Sequence, residues 1–171
     1  LYDENVFEGI KGLSIEELNF SASGLLELNN KVGDAKSLKK LDLSVNDIKE
    51  LPASFSQLSN LSQLNLSQNF NMDAAKVVSS LMPLAKLSEL DLSQCLLSNL
   101  PLDIGKLSSL IKLNLKGNFL SSLPISFGSL INLEELDLSY FIMGTRMNKI
   151  TDLGPAFGNL KKLRYLNLAG N

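Results

Sequence analysis

The sequence contains no histidine and only one cysteine among its 171 residues. Without histidine, the chain lacks the most common general base, the most common zinc ligand and one member of the usual hydrolase triads. A single cysteine cannot form a disulfide within the chain, so a disulfide-stabilised framework is excluded. Because disulfides are typical of secreted domains, we expect an intracellular, cytoplasmic location.

Excess charge of one sign and long apolar runs are also missing. The formal net charge is −2, which is too small to indicate nucleic acid or an anionic membrane surface as a partner. No apolar run approaches the roughly 20 residues that span a bilayer, so no membrane insertion is expected. Glycine-rich phosphate-binding motifs and the H-E-x-x-H motif are absent as well. We therefore expect no cofactor, no metal, no catalytic residues and no small-molecule substrate.

What the chain has in abundance is leucine at fixed spacing. The unit L-x-x-L-x-L-x-x-N-x-L is seen, for example, from Leu38 to Ile48. The intervals between successive units are 23 residues, except for one of 26 and one of 30, so the period indicates a repeat architecture. The first positions of the units are Ile15, Leu38, Leu61, Leu87, Leu110, Leu133 and Leu163.

Each unit begins with an alternation that is typical of a strand with one buried face. Stacked units then predict one parallel sheet on the inner side of a curved solenoid, with strands over 40–43, 63–66, 89–92, 112–115 and 135–138. The ninth position of the unit is expected inside, where its polar side chain satisfies backbone groups that the sheet leaves unpaired. This structural ladder comprises Asn46, Asn69, Cys95, Asn118 and Asn148.

The second half of the unit reads L-P-x-x-F/I-x-x-L, as in Leu51–Leu58. Proline donates no hydrogen bond, which favours an irregular outer strip over a second sheet. Phe55, Ile104 and Phe127 should stack beneath the sheet as a second apolar column. The third unit departs from the pattern, because Asp73 can cap a helix whose apolar residues fall on one face. A short outer helix is therefore predicted there.

These motifs resemble the leucine-rich repeat. The L-P form with its 23-residue period is similar to the intracellular group that includes the Ras-suppressor and Scribble-type scaffolds. The resemblance implies an α/β fold, a leucine-rich repeat solenoid, over residues 15–171, with about six full repeats and a truncated seventh. Residues 1–14 are interpreted as a partial preceding repeat or an N-terminal cap, in which Phe7 and Ile10 cover the first strand. The whole is interpreted as a fragment of a longer protein.

Two surfaces of such a solenoid are available for binding. The inner face carries a central column of asparagine and aspartate, and a neighbouring column of mostly charged residues. A third column, mostly serine, is expected to continue that face. The residue after each ladder position should point outward at the ascending edge, and an insertion of seven residues follows the sixth strand. A partner is predicted to contact Phe70, Leu96, Phe119, Tyr140 and Phe141, together with Asp91, Asn114 and Asp137 on the inner face.

The functional expectation is a non-catalytic scaffold that binds another protein. Two alternatives stay open from the sequence. The chain can be the recognition or targeting part of a larger enzyme, such as a kinase, GTPase or ubiquitin ligase, or it can be a secreted recognition ectodomain. Flanking sequence with a catalytic domain would favour the first, and a signal peptide with cysteine-rich caps would favour the second.

Overall fold

The computed structural model describes residues 2–140 and 147–171. Over these residues, seven strands of three residues each pair in parallel, in the order in which they occur along the chain. The described part also contains an N-terminal helix α1, Tyr2–Gly9, and an outer helix α2, Ala74–Leu81. The strands are β1 Glu17–Asn19, β2 Lys40–Asp42, β3 Gln63–Asn65, β4 Glu89–Asp91, β5 Lys112–Asn114, β6 Glu135–Asp137 and β7 Tyr165–Asn167.

The sheet keeps the same register from repeat to repeat. Leu41 of β2 is paired with Leu64 of β3, and Leu64 with Leu90 of β4. The central leucines of β2 to β6 are at most 2% exposed, whereas the residues on either side of them face the concave surface. The five predicted parallel strands are confirmed, although each ends one residue earlier than expected. The fourth residue already belongs to the turn that leads out of the sheet.

The outer side is more regular than the predicted irregular strip. It consists mainly of single 3-10 helical turns of five residues. In three repeats, the proline of the L-P motif comes directly before this turn. Pro52 has φ −67° and ψ 156°, and its carbonyl accepts a hydrogen bond of 2.9 Å from the N–H of Phe55. Proline therefore sets the direction of entry into the helix. The turns are Asn30–Asp34, Ala53–Gln57, Leu102–Lys106, Ile125–Ser129 and Pro155–Asn159.

The predicted second apolar column lies under these turns. Phe55 and Ile104 are completely buried, and Phe127 is 2% exposed. Neighbouring turns approach each other at the backbone: a Cβ on Gly105 would collide with the carbonyl oxygen of Ser126 in the next repeat. Glycine therefore permits the turns to lie closer together than a side chain would allow.

Helix α2 occupies the outer side of the third repeat, as predicted. The carboxylate of Asp73 accepts hydrogen bonds of 3.1 Å from the backbone N–H groups of Ala75 and Lys76, which would otherwise lack partners in the first helical turn. Val77, Val78 and Leu81 are fully buried, so the apolar side of the helix completes the core of this repeat.

Beneath the ascending edge, buried amide side chains hydrogen-bond to the backbone of neighbouring repeats. Asn118 is completely buried. Its Oδ1 accepts from the backbone N–H of Cys95 at 3.0 Å and of Leu97 at 3.1 Å, both in the preceding repeat. Its Nδ2 donates to the carbonyls of Leu92 and Leu115, each at 2.9 Å. One side chain thus satisfies two donors and two acceptors and joins two repeats.

Related bonds recur along the chain. The amide of Asn171 accepts from the N–H of Ile150 at 2.9 Å and donates to the carbonyl of Leu138 at 3.0 Å. Asn171 is thus a further rung, which the sequence analysis did not include, although it stands in the same L-x-L-x-x-N pattern. The structure places the amides of Asn46, Asn69, Asn118 and Asn148 in the corresponding interior positions.

Cys95 occupies the same position with different chemistry. Its thiol lies 3.2 Å from the carbonyl of Leu66 and can donate to it, but it has no amide oxygen to accept from the preceding repeat. That preceding repeat is the one with α2, where the chain takes another path: the backbone N–H of Asp73 donates to the carbonyl of Lys49 at 2.9 Å. Burial raises the pKa of the Cys95 thiol to about 12, so it is a neutral, structural group.

The residue before the ladder position adopts left-handed backbone geometry in several repeats. Gly117 has φ 66°, which glycine adopts readily, but Val45 has φ 57°. A β-branched side chain in this region is strained. The tight turn between strand and ladder therefore carries a conformational cost wherever glycine is not used.

Helix α1 covers the first repeat. Phe7 is 3% exposed, and its ring lies 5.7 Å from the ring of Phe20, with an angle of 60° between the planes. Ile10 is partly buried against the same core.

We predict that Asn118→Ala destabilises the protein by about 1–3 kcal/mol, because buried backbone groups lose their hydrogen bonds. Cys95→Ala should cost less, since a thiol is both a weak donor and a weak acceptor. Denaturant unfolding measures both. Asn99→Ala serves as the control, because Asn99 is exposed. Equal losses for Asn118→Ala and Asn99→Ala would contradict this role of the ladder.

We also predict that Val45→Gly stabilises the fold by up to about 1 kcal/mol, because glycine removes the left-handed strain of an exposed valine. Lys49→Gly is the matched control: Lys49 is exposed and lies outside the left-handed region. There, glycine should only add entropy to the unfolded chain and destabilise. Thermal unfolding of both variants gives the comparison, and the same sign of change in both would show the strain argument to be wrong.

Candidate interaction surface

The first candidate surface is the concave face of the sheet. The seven strands enclose an open groove of about 610 Å³. Its floor is the central column, formed by the third residue of each strand. The column alternates between asparagine and aspartate: Asn19, Asp42, Asn65, Asp91, Asn114, Asp137 and Asn167.

The side chains of this central column have a structural task. In Asp91, one carboxylate oxygen accepts from the backbone N–H of Ser93 at 2.8 Å, which closes a local turn at the end of β4. The other oxygen accepts from the amide of Asn114 in the next repeat, also at 2.8 Å. Asp137 is held in the same way by Ser139 and Asn167. The three predicted inner-face residues are therefore half-buried and oriented by their neighbours.

The adjacent column carries ion pairs. Lys40 lies 2.8 Å from Glu17, and Lys112 lies 3.0 Å from Glu135. The hydrogen bond with Glu17, followed by the charge of that carboxylate, raises the pKa of Lys40. The hydrogen bond with Glu135 raises the pKa of Lys112 in the same way. Both cations of the groove are thus already paired with carboxylates of the groove.

The third column is not part of the exposed face, contrary to the expectation from sequence. Ser44, Ser67, Ser93 and Ser139 are between 3% and 8% exposed. Their backbone N–H groups bond to the preceding central-column side chains, and the chain turns inward at this point. In these four repeats the concave surface is consequently two residues wide, whereas Lys116 in the same column of the fifth repeat is half-buried.

The second candidate surface is the ascending edge. Phe70 is 40% exposed and Phe119 is 42% exposed, while Leu96 is half-buried and left-handed, with φ 60°. These three residues follow consecutive ladder positions, so they form an apolar row across neighbouring repeats. Phe141, which was predicted to extend this row, and most of the seven-residue insertion lie outside the described residues.

Tyr140 occupies a different environment from the one expected. Its ring is half-buried and lies directly against Gly170 in the next repeat, where a Cβ would collide with ring carbons Cδ1 and Cγ. The ring therefore packs between repeats as well as reaching the edge. Truncation of this ring should therefore remove a contact between repeats.

Over residues 2–140 and 147–171, no group of three or more cysteine, aspartate or glutamate side chains is arranged to hold a metal ion. Within the same described residues, the helices are too short and too polar to cross a bilayer. What the described geometry offers is two neighbouring surfaces, one acidic and concave, the other apolar and exposed.

Comparison with known families identifies the repeat. A model described as two copies of leucine-rich repeats matches residues 36–75, and the leucine-rich repeat model matches residues 86–107 and 109–130. The chain is a leucine-rich repeat solenoid. No curated protein matches its sequence.

Solved structures share this leucine-rich repeat fold. The chain is 27% identical to internalin C2 of Listeria monocytogenes, with a TM-score of 0.71, over 93% of the chain and 64% of that protein. It is 26% identical to a leucine-rich repeat protein of Leptospira interrogans, with a TM-score of 0.60, over 96% and 51% respectively. The plant peptide hormone receptor RGFR1, solved in complex with RGF2, shares the fold at 24% identity and a TM-score of 0.61, over 91% of the chain and 23% of that protein. The chain spans less than two thirds of each of these proteins.

We predict that Tyr140→Ala lowers the free energy of unfolding by more than about 1 kcal/mol, because it removes a ring packed against the neighbouring repeat. Phe119→Ala should change it by less than Tyr140→Ala, since more of its ring faces solvent. Denaturant unfolding of the two variants decides the point. A larger loss with Phe119→Ala would mean that the edge row belongs to the core rather than to a binding surface.

Proposed function

We propose that this solenoid is a non-catalytic scaffold that binds another protein through its ascending edge and the adjoining concave face. The observation that carries the proposal is the apolar row at the ascending edge, in which Phe70 and Phe119 are exposed and Leu96 is half-buried. Contiguous exposed apolar side chains commonly mark interaction sites. Leucine-rich repeat proteins in general mediate protein–protein interactions, which agrees with this reading.

The proposed mechanism is preorganisation. The buried amides between repeats and the paired side chains of the central column hold the surface in one conformation before a partner arrives. A binder that is already ordered loses little conformational entropy on association. The strands and turns therefore act as a frame, and the exposed side chains supply recognition.

Within this surface, Phe119 is proposed as the main anchor. Aromatic residues at the centre of an interface often account for most of its affinity, because their rings lose contact with water completely. Asp91, Asn114 and Asp137 would supply the polar part of the same interface. Tyr140 and Phe141 are proposed to extend the apolar part.

We also propose that the repeats belong to the L-P type of the Ras-suppressor and Scribble-type scaffolds and act inside the cell. Pro52, Pro101 and Pro124 at the entrances of the outer turns support the first point. The free, buried thiol of Cys95 agrees with a reducing compartment. Cell fractionation with an antibody to the native protein would test the location, and recovery in the secreted fraction would contradict it.

The binding proposal is tested by affinity capture from an extract of the source organism. Wild-type protein should retain a defined partner, and Phe119→Ser should weaken that retention by about 30-fold, the equivalent of about 2 kcal/mol for a central anchor. Ile125→Ser is the matched control, because Ile125 is 74% exposed on an outer turn away from the proposed surface.

Retention that is lost with Phe119→Ser and kept with Ile125→Ser supports the ascending edge as the binding site. Equal retention by all three proteins would place the partner elsewhere, and no specific retention by the wild type would contradict a scaffold role.

A further inference from the structure

Because asparagine and aspartate alternate along the central column, a negative charge recurs on the concave face at every second repeat. Within this column, the carboxylates are those of the second, fourth and sixth strands, Asp42, Asp91 and Asp137. Neighbouring parallel strands lie about 4.8 Å apart. The three carboxylates should therefore follow one another at intervals of about 9.6 Å along the groove.

The groove is also more acidic than the protein as a whole. Six carboxylates and two lysines line it, which leaves a net charge of −4, whereas the full chain carries −2. The rest of the chain therefore has a net charge of +2. Because Lys40 and Lys112 are paired with Glu17 and Glu135, the excess negative charge lies with Glu89 and the three aspartates. A complementary partner would be cationic.

The spacing of the carboxylates selects among ligand conformations. In a β-strand, side chains on one face recur every two residues, about 6.7 Å apart, and in an α-helix one turn rises about 5.4 Å. A polyproline II helix has three residues per turn and rises about 3.1 Å per residue, so every third side chain lies on one face at intervals of about 9.3 Å. This last interval is the nearest to that of the carboxylates, because two α-helical turns rise about 10.8 Å and four strand residues span about 13.4 Å.

We propose that the concave face binds a protein segment in the polyproline II conformation with lysine or arginine at every third position. One cation would lie against each of Asp42, Asp91 and Asp137. This inference rests on the proposed function, because it takes the partner to be a protein, and it adds the chemistry of the part that enters the groove.

The three carboxylates are prepared for such a ligand. Each donates nothing and already accepts one backbone N–H and one asparagine amide, as Asp91 does from Ser93 and Asn114. A carboxylate has about four acceptor sites, so two internal hydrogen bonds leave room for an ammonium or guanidinium group. The internal bonds fix the orientation of the carboxylate, so little side-chain freedom is lost when a cation arrives.

The test uses two fluorescent peptides of identical composition. One has the order Lys-Pro-Pro-Lys-Pro-Pro-Lys, and the other has its three lysines consecutive and its four prolines after them. Fluorescence anisotropy at low ionic strength should show tighter binding of the first peptide. Binding of that peptide should weaken when salt is raised, because exposed charge pairs are screened.

The protein variants are Asp42→Asn, Asp91→Asn and Asp137→Asn. Asparagine already occupies the equivalent positions in neighbouring strands and closes the same turn, as Asn65 does with Ser67, so the fold should be retained. Each variant should weaken binding of the spaced peptide by about two- to fivefold, as expected for the loss of an exposed ion pair. The triple variant should weaken its binding by more than about tenfold. Asp103→Asn is the control, because it removes the same charge from an outer turn.

Equal affinity for the two peptides would show that the spacing of the lysines does not matter and would overturn the proposal. An equal loss of affinity with Asp103→Asn would show that only the overall charge matters and would overturn it as well. Thermal unfolding of each variant excludes loss of fold as the cause. If the spaced peptide does not bind while Phe119→Ser still abolishes capture of a partner, this inference fails and the scaffold function stands. If capture fails as well, both fail.

Discussion

The structure depends on buried amide side chains that bridge the repeats. Each repeat leaves backbone N–H and C=O groups unpaired where the chain turns out of the sheet, and burying such groups without partners is costly. Asn118 satisfies four of them at once and connects two repeats in doing so. Leucine packing supplies the core, but it is non-directional. The amides give the stack its register.

The asparagine–aspartate alternation on the concave face follows the same logic at the surface. Either side chain can close the turn at the end of a strand, because each offers an oxygen to the N–H two residues later. The fold therefore requires only a hydrogen-bond acceptor at this position, and the side chain can be either neutral or negatively charged. The cross-repeat bond then favours an amide beside a carboxylate, since two carboxylates could not donate to each other.

Much of the architecture could be predicted from sequence, because a fixed period and an alternating strand pattern leave few ways to bury the leucines. The strands and helix α2 were predicted for this reason. The burial of Ser93 was not, because a small polar residue tolerates both environments and its place depends on where the turn bends inward. The contact between Tyr140 and Gly170 joins different repeats, so no local pattern reveals it. Asn171 had a signal in the L-x-L-x-x-N motif, which was not followed to the end of the chain.

Helix α2 has a geometric consequence for the shape of the solenoid. An α-helix with its side chains is about 10 Å in diameter, roughly twice the separation of adjacent strands. The thin 3-10 turns of the other repeats, which approach each other at the backbone at Gly105 and Gly128, need far less width. Around the third repeat, the outer side of the solenoid is therefore wider than the inner sheet by the largest amount. The solenoid should curve most strongly at that repeat. The radius of the concave groove therefore depends on the width of the helix and turns on the outer side of the solenoid.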